Sequence, residues 1–241
     1  MKDLKNIIKD RRFLVFYDLE GTQASHEIIE IGAYKCKIDD DFHVRKIYKP
    51  FKAYVRPKHR IGHFVTKLTG ISEKTIQDKA ISFREMQNQF IKYLGKDKER
   101  CLFVSYGSQD GEMFIASAEN NMDASMEFSR FVAKRTWDFC AFLKRYLQNP
   151  DGNPFSLERA CEKFGIHFAG QAHDALADAY NLMDLYRRML EDKETLGKAY
   201  QETLYNANKV PAPVREVLRR LSVGETVSPE DFSAIIQRSL K

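Results

Sequence analysis

Two acidic residues end an apolar stretch near the start of the chain. Residues 13–20 read Phe-Leu-Val-Phe-Tyr-Asp-Leu-Glu, so five apolar side chains lead directly into Asp18 and Glu20. A short run of aromatic and β-branched residues predicts a buried strand. Because side chains alternate between the two faces of a strand, both carboxylates point the same way, with Cα atoms roughly 6–7 Å apart. Such a pair suits a hard divalent cation, which prefers oxygen ligands. The alternative is a strand end with two solvated acids.

Two further carboxylates and a histidine lie at the ends of predicted elements. Asp110 follows an apolar strand predicted over residues 101–105, near the start of a helix. Asp178 lies about one turn inside a helix predicted over residues 175–191, and His173 lies just before it. Carboxylates that meet in one place raise one another's pKa, which does not help stability. They are well suited to two Mg²⁺ or Mn²⁺ ions about 3.5–4 Å apart, which act on a phosphodiester. A histidine, which titrates near neutral pH, can then take a proton from the attacking water.

The order and spacing of these residues match three motifs of one family. Residues 18–22 read Asp-Leu-Glu-Gly-Thr, residues 104–110 place an aspartate after a strand and a polar turn, and residues 173–178 read His-Asp-Ala-Leu-Ala-Asp. Together they resemble the DEDDh 3′-to-5′ exonucleases, the DnaQ-like branch of the ribonuclease H-like fold. The resemblance extends over roughly residues 12–195 of the chain.

This resemblance implies a role for each motif residue. Asp18, Glu20, Asp110 and Asp178 would bind two Mg²⁺ or Mn²⁺ ions, and His173 would be the general base of a 3′-to-5′ exonuclease. The alternative is a non-catalytic nucleic-acid-binding module of the same fold, although the presence of all five catalytic residue types argues against it. A third possibility is a protein-interaction scaffold that works through its C-terminal helices.

The resemblance also implies contacts with the substrate. The backbone at Gly21 and Thr22 would meet the terminal ribose, and Leu68 would wedge against the terminal base. Glycine at position 21 lets the backbone approach a nucleotide closely. For Leu68, core packing is an equally good interpretation. Residues 27–32 and 54–71 look most like the Eri-type exoribonucleases and the KapD-like bacterial proteins, so RNA is the favoured substrate and single-stranded DNA is possible.

The predicted elements belong to an α/β protein. Hairpin strands follow the first strand, and amphipathic helices are predicted over residues 83–94, 137–148, 156–164 and 175–191, the last with Asp174 as its N-cap. The resemblance implies a ribonuclease H-like mixed five-stranded sheet flanked by helices. We expect a basic N-terminal segment over residues 1–11, an exonuclease domain over residues 12–204 and a helical C-terminal extension over residues 205–241.

Composition excludes some classes of protein. Charged residues make up 30% of the chain, and no apolar run approaches the roughly 18 residues of a membrane span, so no membrane association is expected. The four cysteines lie far apart without a CxxC pair, which argues against a zinc site and favours free thiols in a cytoplasmic protein. A net charge of +5 mildly favours a polyanionic partner.

Positive charge is concentrated in one stretch. Residues 45–60 contain no carboxylate and hold seven basic residues, which are Arg45, Lys46, Lys49, Lys52, Arg56, Lys58 and Arg60. Aromatic residues are interleaved with them, as in surfaces that follow a phosphate backbone. The alternative is a solvated edge strand, where lysine also prevents aggregation. We name these residues the basic stripe.

Overall fold

The apolar stretch that ends in Asp18 and Glu20 is the central strand of a mixed sheet. The computed structural model describes residues 2–149, 151–205 and 210–240. Within these residues the strands are β1 (Phe13–Gly21), β2 (Ile28–Ile38), β3 (Val44–Ile47), β4 (Phe51–Tyr54), β5 (Cys101–Ser105) and β6 (Thr136–Asp138). The sheet order is β3-β2-β1-β5-β6, and β4 also pairs with β2. β2 is antiparallel to its partners, whereas β5 is parallel to both β1 and β6.

Helices cover both faces of this sheet. In chain order they are α1 (Lys2–Ile8), α2 (His63–Thr69), α3 (Glu73–Lys79), α4 (Phe83–Leu94), α5 (Gln109–Glu119), α6 (Met126–Lys134), α7 (Phe139–Leu143), α8 (Leu157–Lys163), α9 (Ala175–Glu191), α10 (Lys193–Tyr205), α11 (Ala212–Ser222) and α12 (Pro229–Ser239). A 3₁₀ helix over Gly95–Arg100 leads into β5.

The alternation of β1 divides the core into two parts. Leu14 and Phe16 pack with α1 and α7–α10, whereas Phe13, Val15 and Tyr17 pack with α4–α6. Because residues two apart share a face of a strand, the two acids that end β1 continue the side of Leu14 and Phe16. They therefore face α9, the helix that carries Asp178.

The predicted fold class is confirmed, with six strands in the described sheet where five were expected. One of the hairpin strands that the sequence predicts after the first strand, over residues 42–55, is divided into β3 and β4 around Pro50, which has no N–H to donate to a neighbouring strand. The helix predicted over residues 137–148 begins only at Phe139. Asp138 caps that helix by accepting a hydrogen bond from the Ala141 N–H at 2.9 Å, while β6 occupies the residues before it.

Helices α10, α11 and α12 pack in sequence, and α10 connects them to the core. Leu196 and Ala199 of α10 are buried in the core beside α9. α11 packs against α10 and α12. The predicted boundary between residues 204 and 205 falls at the end of α10, next to residues 206–209, which lie outside the described part. The division into domains stays a prediction.

Over the described residues, no helix is both long enough and apolar enough to cross a membrane.

Candidate active site

Acids from three distant parts of the chain meet at the end of β1. Asp18 and Glu20 end the strand itself, Asp178 lies in the first turn of α9, and Asp110 lies in the first turn of α5, directly after β5. We call these four residues the cavity acids. A cavity of about 290 Å³ is lined by three of them and by His173. Asp110 does not line this cavity, and it is as buried as Asp178, with 9% of its surface exposed. Its charge nevertheless raises the pKa of the Asp18 carboxyl, as does that of Asp178.

The start of α9 holds two of these groups together. His173 has a left-handed backbone with φ of 65°, and its N–H donates a hydrogen bond to the Asp178 carboxylate at 2.9 Å. The Nδ1 atom of His173 lies 3.9 Å from Oε1 of Glu20. One ligand atom from each of Glu20, His173 and Asp178 lies within 4.8 Å of the other two, a spacing at which they could hold one metal ion.

All four cavity acids resist ionisation. Burial, followed by the charges of Asp110 and Asp178, raises the pKa of Asp18 well above its usual range. Burial and the charge of Asp178 raise the pKa of Glu20 to about 8. Burial raises the pKa of Asp110 to about 7 and that of Asp178 to about 6, the latter partly offset by the N–H of His173. A negatively charged cluster of this kind calls for a cation.

No side chain of the described residues supplies that cation. Lysine and arginine form no ion pair with any cavity acid in this part of the chain, and the one nearby cationic group is the imidazole of His173 when protonated. Buried carboxylates are normally paired or bind a metal. A donor set made of carboxylate oxygens fits a hard divalent ion such as Mg²⁺ or Mn²⁺. The residues present therefore fit the predicted metals.

Comparison with known proteins decides the family. A family model described as RNase_T, exonuclease, matches residues 15–186, which include all four cavity acids and His173. The chain belongs to this exonuclease family. The resemblance to DEDDh exonucleases is confirmed with it.

Relatives of this exonuclease domain differ widely in length. PolC-type DNA polymerase III of Caldanaerobacter subterraneus is 27% identical over 76% of this chain and 12% of that protein. ERI1 exoribonuclease 2 of Xenopus laevis is 24% identical over 75% of this chain and 28% of that protein. The probable 3′-5′ exonuclease KapD of Bacillus subtilis is 26% identical over 74% of this chain and 80% of that protein. The chain thus spans only a small part of the first two.

Solved structures share the fold of the domain. The nuclease domain of 3′hExo, described as a DEDDh family member bound to rAMP, superposes with a TM-score of 0.62 at 21% identity, over 76% of this chain and 94% of that one. Exonuclease I of E. coli, in complex with a dA16 oligonucleotide, has a TM-score of 0.59 at 20% identity, over 81% of this chain and 44% of that one.

None of the three predicted substrate residues lines the cavity, and they lie in different settings. Thr22 is buried, and its N–H and hydroxyl are both used within its turn, through bonds of 2.9 and 3.0 Å to the backbone of Glu27. At Gly21 an added Cβ would meet only the terminal methyl of the flexible Met113 side chain, which can move aside, so packing inside the protein does not by itself require this glycine. Leu68 is 39% exposed on α2, which excludes core packing, and it does not line the cavity of the acids.

Sequence reasoning missed the apolar wall of the cavity. Tyr106, Leu157 and Phe168 line it opposite the acids. The Tyr106 hydroxyl donates a hydrogen bond of 2.8 Å to the Phe155 carbonyl, which fixes the ring. Isolated apolar residues in loops and helix starts look like core positions in a sequence, so no pattern indicated this wall.

The basic stripe is only partly free for a ligand. Lys52 lies between two carboxylates, 3.0 Å from Glu30 and 2.6 Å from Asp174. Arg45 pairs with Asp39 at 2.6 Å. Lys49, Lys58 and Arg60 are exposed, as are Lys46 and Arg56. The stripe therefore combines structural cations with exposed ones, a distinction that charge counting did not make.

Proposed function

We propose that this protein is a 3′-to-5′ exonuclease that hydrolyses the terminal phosphodiester of RNA or single-stranded DNA. The observation that carries the proposal is the convergence of four carboxylates beside a histidine, three of them lining one cavity and the fourth acting on Asp18, with no lysine or arginine paired to them among the described residues. Membership of the exonuclease family supports it. A fold built only for stability would not collect such acids, because each costs free energy when buried.

Each residue has a definite task in this proposal. Asp18, Glu20, Asp110 and Asp178 hold two divalent ions, Mg²⁺ or Mn²⁺, which when bound neutralise charge developing on the phosphate. His173 lies at the cavity with 46% of its side chain exposed, so its imidazole can reach a water molecule. It takes the proton from that water as the 3′-terminal linkage breaks.

The substrate end is held by the surroundings of the acids. The backbone at Gly21 and Thr22 meets the terminal ribose. Because the N–H of Thr22 is already bonded within its turn, the sugar meets the other backbone atoms of these two residues. Leu68 is sufficiently exposed to stack on a base. We favour RNA because a relative is named an exoribonuclease and a neighbour was solved with rAMP, while another neighbour binds a DNA oligonucleotide.

A single assay tests this function. Matched RNA and DNA oligonucleotides, each labelled at the 5′ end, are incubated with the full chain and Mn²⁺. We expect a ladder of products shortened one nucleotide at a time from the 3′ end, faster on RNA, and blocked by EDTA. Asp18→Asn is the control variant. If wild type and Asp18→Asn bind the oligonucleotide and neither shortens it, the protein is instead a non-catalytic binding module of the same fold.

Two further expectations belong to this proposal. The family match covers residues 15–186, which fall within the catalytic domain that we expect over residues 12–204, with a basic segment before it and a helical extension after it. Removal of residues 210–241 should then preserve activity on short substrates, and a loss would assign the extension to the catalytic unit. All four cysteines are free, which supports a cytoplasmic location.

A further inference from the structure

A buried glutamate lies next to the cavity without belonging to it. Glu30 of β2 is opposite Glu20 in the β1–β2 pairing and has 1% of its surface exposed. Its Oε2 atom accepts a hydrogen bond of 3.0 Å from the N–H of Ala175, the first residue of α9. Its Oε1 atom lies 3.0 Å from the ammonium of Lys52, an ion pair that lacks hydrogen-bond geometry. A carboxylate buried this deeply must be compensated, and here both compensating partners are identified.

A second carboxylate completes the arrangement. Asp174 caps α9, where its Oδ1 atom accepts hydrogen bonds of 3.0 Å from the N–H groups of Leu176 and Ala177. Its Oδ2 atom lies 2.6 Å from the Lys52 ammonium. Two carboxylates thus take the first three N–H groups of the helix, and one lysine joins them. We call Lys52, Glu30 and Asp174 the Lys52 cluster.

Beside the Lys52 cluster, the backbone of β2 is in close contact with the first turn of α9. Gly32 lies opposite Lys52 in the β2–β4 pairing. A Cβ atom at Gly32 would collide with the backbone of Ala175 and Leu176. The first turn of α9 therefore rests directly on β2, and the side chain of Lys52 reaches it from the neighbouring strand. Two strands and a helix start form one unit.

The start of α9 also carries two of the groups that the proposed reaction needs at fixed positions. His173 directly precedes the capping residue, and Asp178 follows it by one turn, with the His173 N–H bonded to the Asp178 carboxylate. We propose that Lys52 is a positioning residue of the exonuclease, which holds His173 and Asp178 in place through Glu30 and Asp174. The effect on turnover rests on the proposed function, whereas the anchoring of α9 does not.

The position of the cluster also has an electrostatic consequence. Glu30 is close enough to the cavity for its charge to act on Asp18, Glu20 and Asp178. Lys52 compensates that charge. Removing Lys52 should therefore disturb the geometry of His173 and at the same time make the cavity more negative, which favours a bound cation. Turnover should therefore fall while cation affinity is kept or rises, and general unfolding cannot produce that result.

The test compares Lys52→Met, Lys52→Arg and Lys37→Met in the full chain. Lys37 is an exposed lysine on β2. Lys37→Met therefore makes the same chemical change outside the Lys52 cluster. The measurements are kcat and KM on a labelled oligonucleotide, Mn²⁺ affinity from the rise in Tm during a Mn²⁺ titration, and hydrogen exchange of the amides at Ala175, Leu176 and Ala177. The exchange experiment needs no activity.

We expect Lys52→Met to lower kcat by about 10- to 100-fold, as a small misplacement of a catalytic group does. KM should stay the same, Mn²⁺ affinity should stay the same or rise, and the three amides should exchange faster. Lys52→Arg should recover most of the turnover, and Lys37→Met should behave as wild type.

Two results would overturn the proposal. One is wild-type turnover and exchange in Lys52→Met. The other is a joint loss of turnover, Mn²⁺ binding and Tm that Lys52→Arg does not recover, which would make Lys52 a general stability residue. If the wild-type chain itself has no nuclease activity, the proposed function fails. The amide exchange then tests only whether Lys52 anchors α9. Faster exchange in Lys52→Met supports the anchoring, and unchanged exchange contradicts it.

Discussion

Two groups of acids lie side by side in this protein, and they are compensated in opposite ways. In the Lys52 cluster, burial alone would raise the pKa of Asp174, but the hydrogen bond from Lys52 holds it below its usual range. Among the cavity acids, burial and mutual repulsion raise the pKa of Glu20 to about 8. Glu20 and Glu30 are opposite each other on the adjacent strands β1 and β2, yet of the two only Glu30 pairs with a lysine among the described residues.

The difference separates structural charge from charge kept for a ligand. A carboxylate that anchors a helix needs a permanent partner, and the fold supplies one within 3.0 Å. A carboxylate that binds a metal must stay open to it, so the fold tolerates its repulsion until the ion arrives. Perturbed acids of this kind cluster at functional sites. The comparison therefore supports our proposal that the cavity acids bind the metals and that the Lys52 cluster holds the helix beside them.

The largest effect should come from Asp110→Asn. This change keeps the shape of a buried side chain but removes a carboxylate that we assign to the metals. Because a bound metal contributes several kcal/mol to a transition state, we expect turnover to fall by about 10³-fold. Initial rates on a labelled oligonucleotide at saturating Mn²⁺ measure it. Asp123→Asn, an exposed acid in a loop, is the control. Equal rates for Asp110→Asn and wild type would remove Asp110 from the site.

His173→Ala should come next. Loss of a general base lowers turnover by about 10²-fold or more. Because the four carboxylates remain, Mn²⁺ should still raise Tm as it does in wild type. Rates at neutral pH and a Mn²⁺ titration of Tm check the two parts separately, with His43→Ala, in the turn between β2 and β3, as a histidine control. Retained turnover in His173→Ala would exclude the base role, and lost Mn²⁺ binding would make His173 a ligand.

The third prediction concerns pH and metal removal. The folded pKa values of Asp178, Asp110 and Glu20 lie at about 6, 7 and 8, above their usual range near 4. The folded state thus binds more protons than the unfolded state between these limits, so its stability is greatest below pH 4 for these groups and is lost as pH rises towards 8.

We therefore expect the EDTA-treated protein to lose several kcal/mol between pH 5 and pH 8, with a corresponding fall in Tm. Mn²⁺ should restore most of that at pH 8 and do much less at pH 5, where the acids are protonated. Thermal melts at both values, with and without the ion, give the answer. A metal-free protein more stable at pH 8 than at pH 5 would contradict the repulsion among the cavity acids.

A matched pair of amide substitutions sharpens the same comparison. Asp110→Asn relieves repulsion at pH 8, so the metal-free protein should become more stable. Glu30→Gln breaks the pairing with Lys52, so it should become less stable by about 1–3 kcal/mol. Urea unfolding without metal at pH 8 compares the two. If both variants shift the midpoint in the same direction, the two groups of acids do not differ as we describe.

Much of the site could be predicted because it depends on local pattern. A strand that ends in two acids, an aspartate after a second parallel strand and a helix start with His173 and Asp178 each have a recognisable sequence signature. Because β1 and β5 are parallel, the acids that follow them lie at the same edge of the sheet, as the sequence predicted. The cap of α9 at Asp174 was predicted correctly for the same reason.

The rest depends on pairings that local sequence does not specify. Lys52 is one of seven basic residues in a stripe, and nothing nearby indicates that its partner Asp174 lies 122 residues away. Glu30 looks like an irregularity in an apolar strand, although a buried acid in such a strand is itself a signal. Which cation compensates which carboxylate is decided by packing. The three-residue strand β6 is likewise too short to show the alternation of apolar and polar residues by which strands are predicted.

The smallest effect should distinguish free lysines from the structural one. Lys49 and Arg56 are exposed, whereas Lys52 is held by two carboxylates. If the exposed residues contact phosphates, Lys49→Ala and Arg56→Ala should each lower the slope of log affinity against log salt by about 0.7. Lys52→Ala should leave that slope unchanged, because its charge is already compensated inside the protein. Oligonucleotide binding in Ca²⁺ at several salt concentrations measures it, with Lys37→Ala as control. A slope that falls only in Lys52→Ala would mean that Lys52, and not Lys49 or Arg56, contacts the phosphates. A slope that falls in none of the variants would make the basic stripe a solvated edge strand.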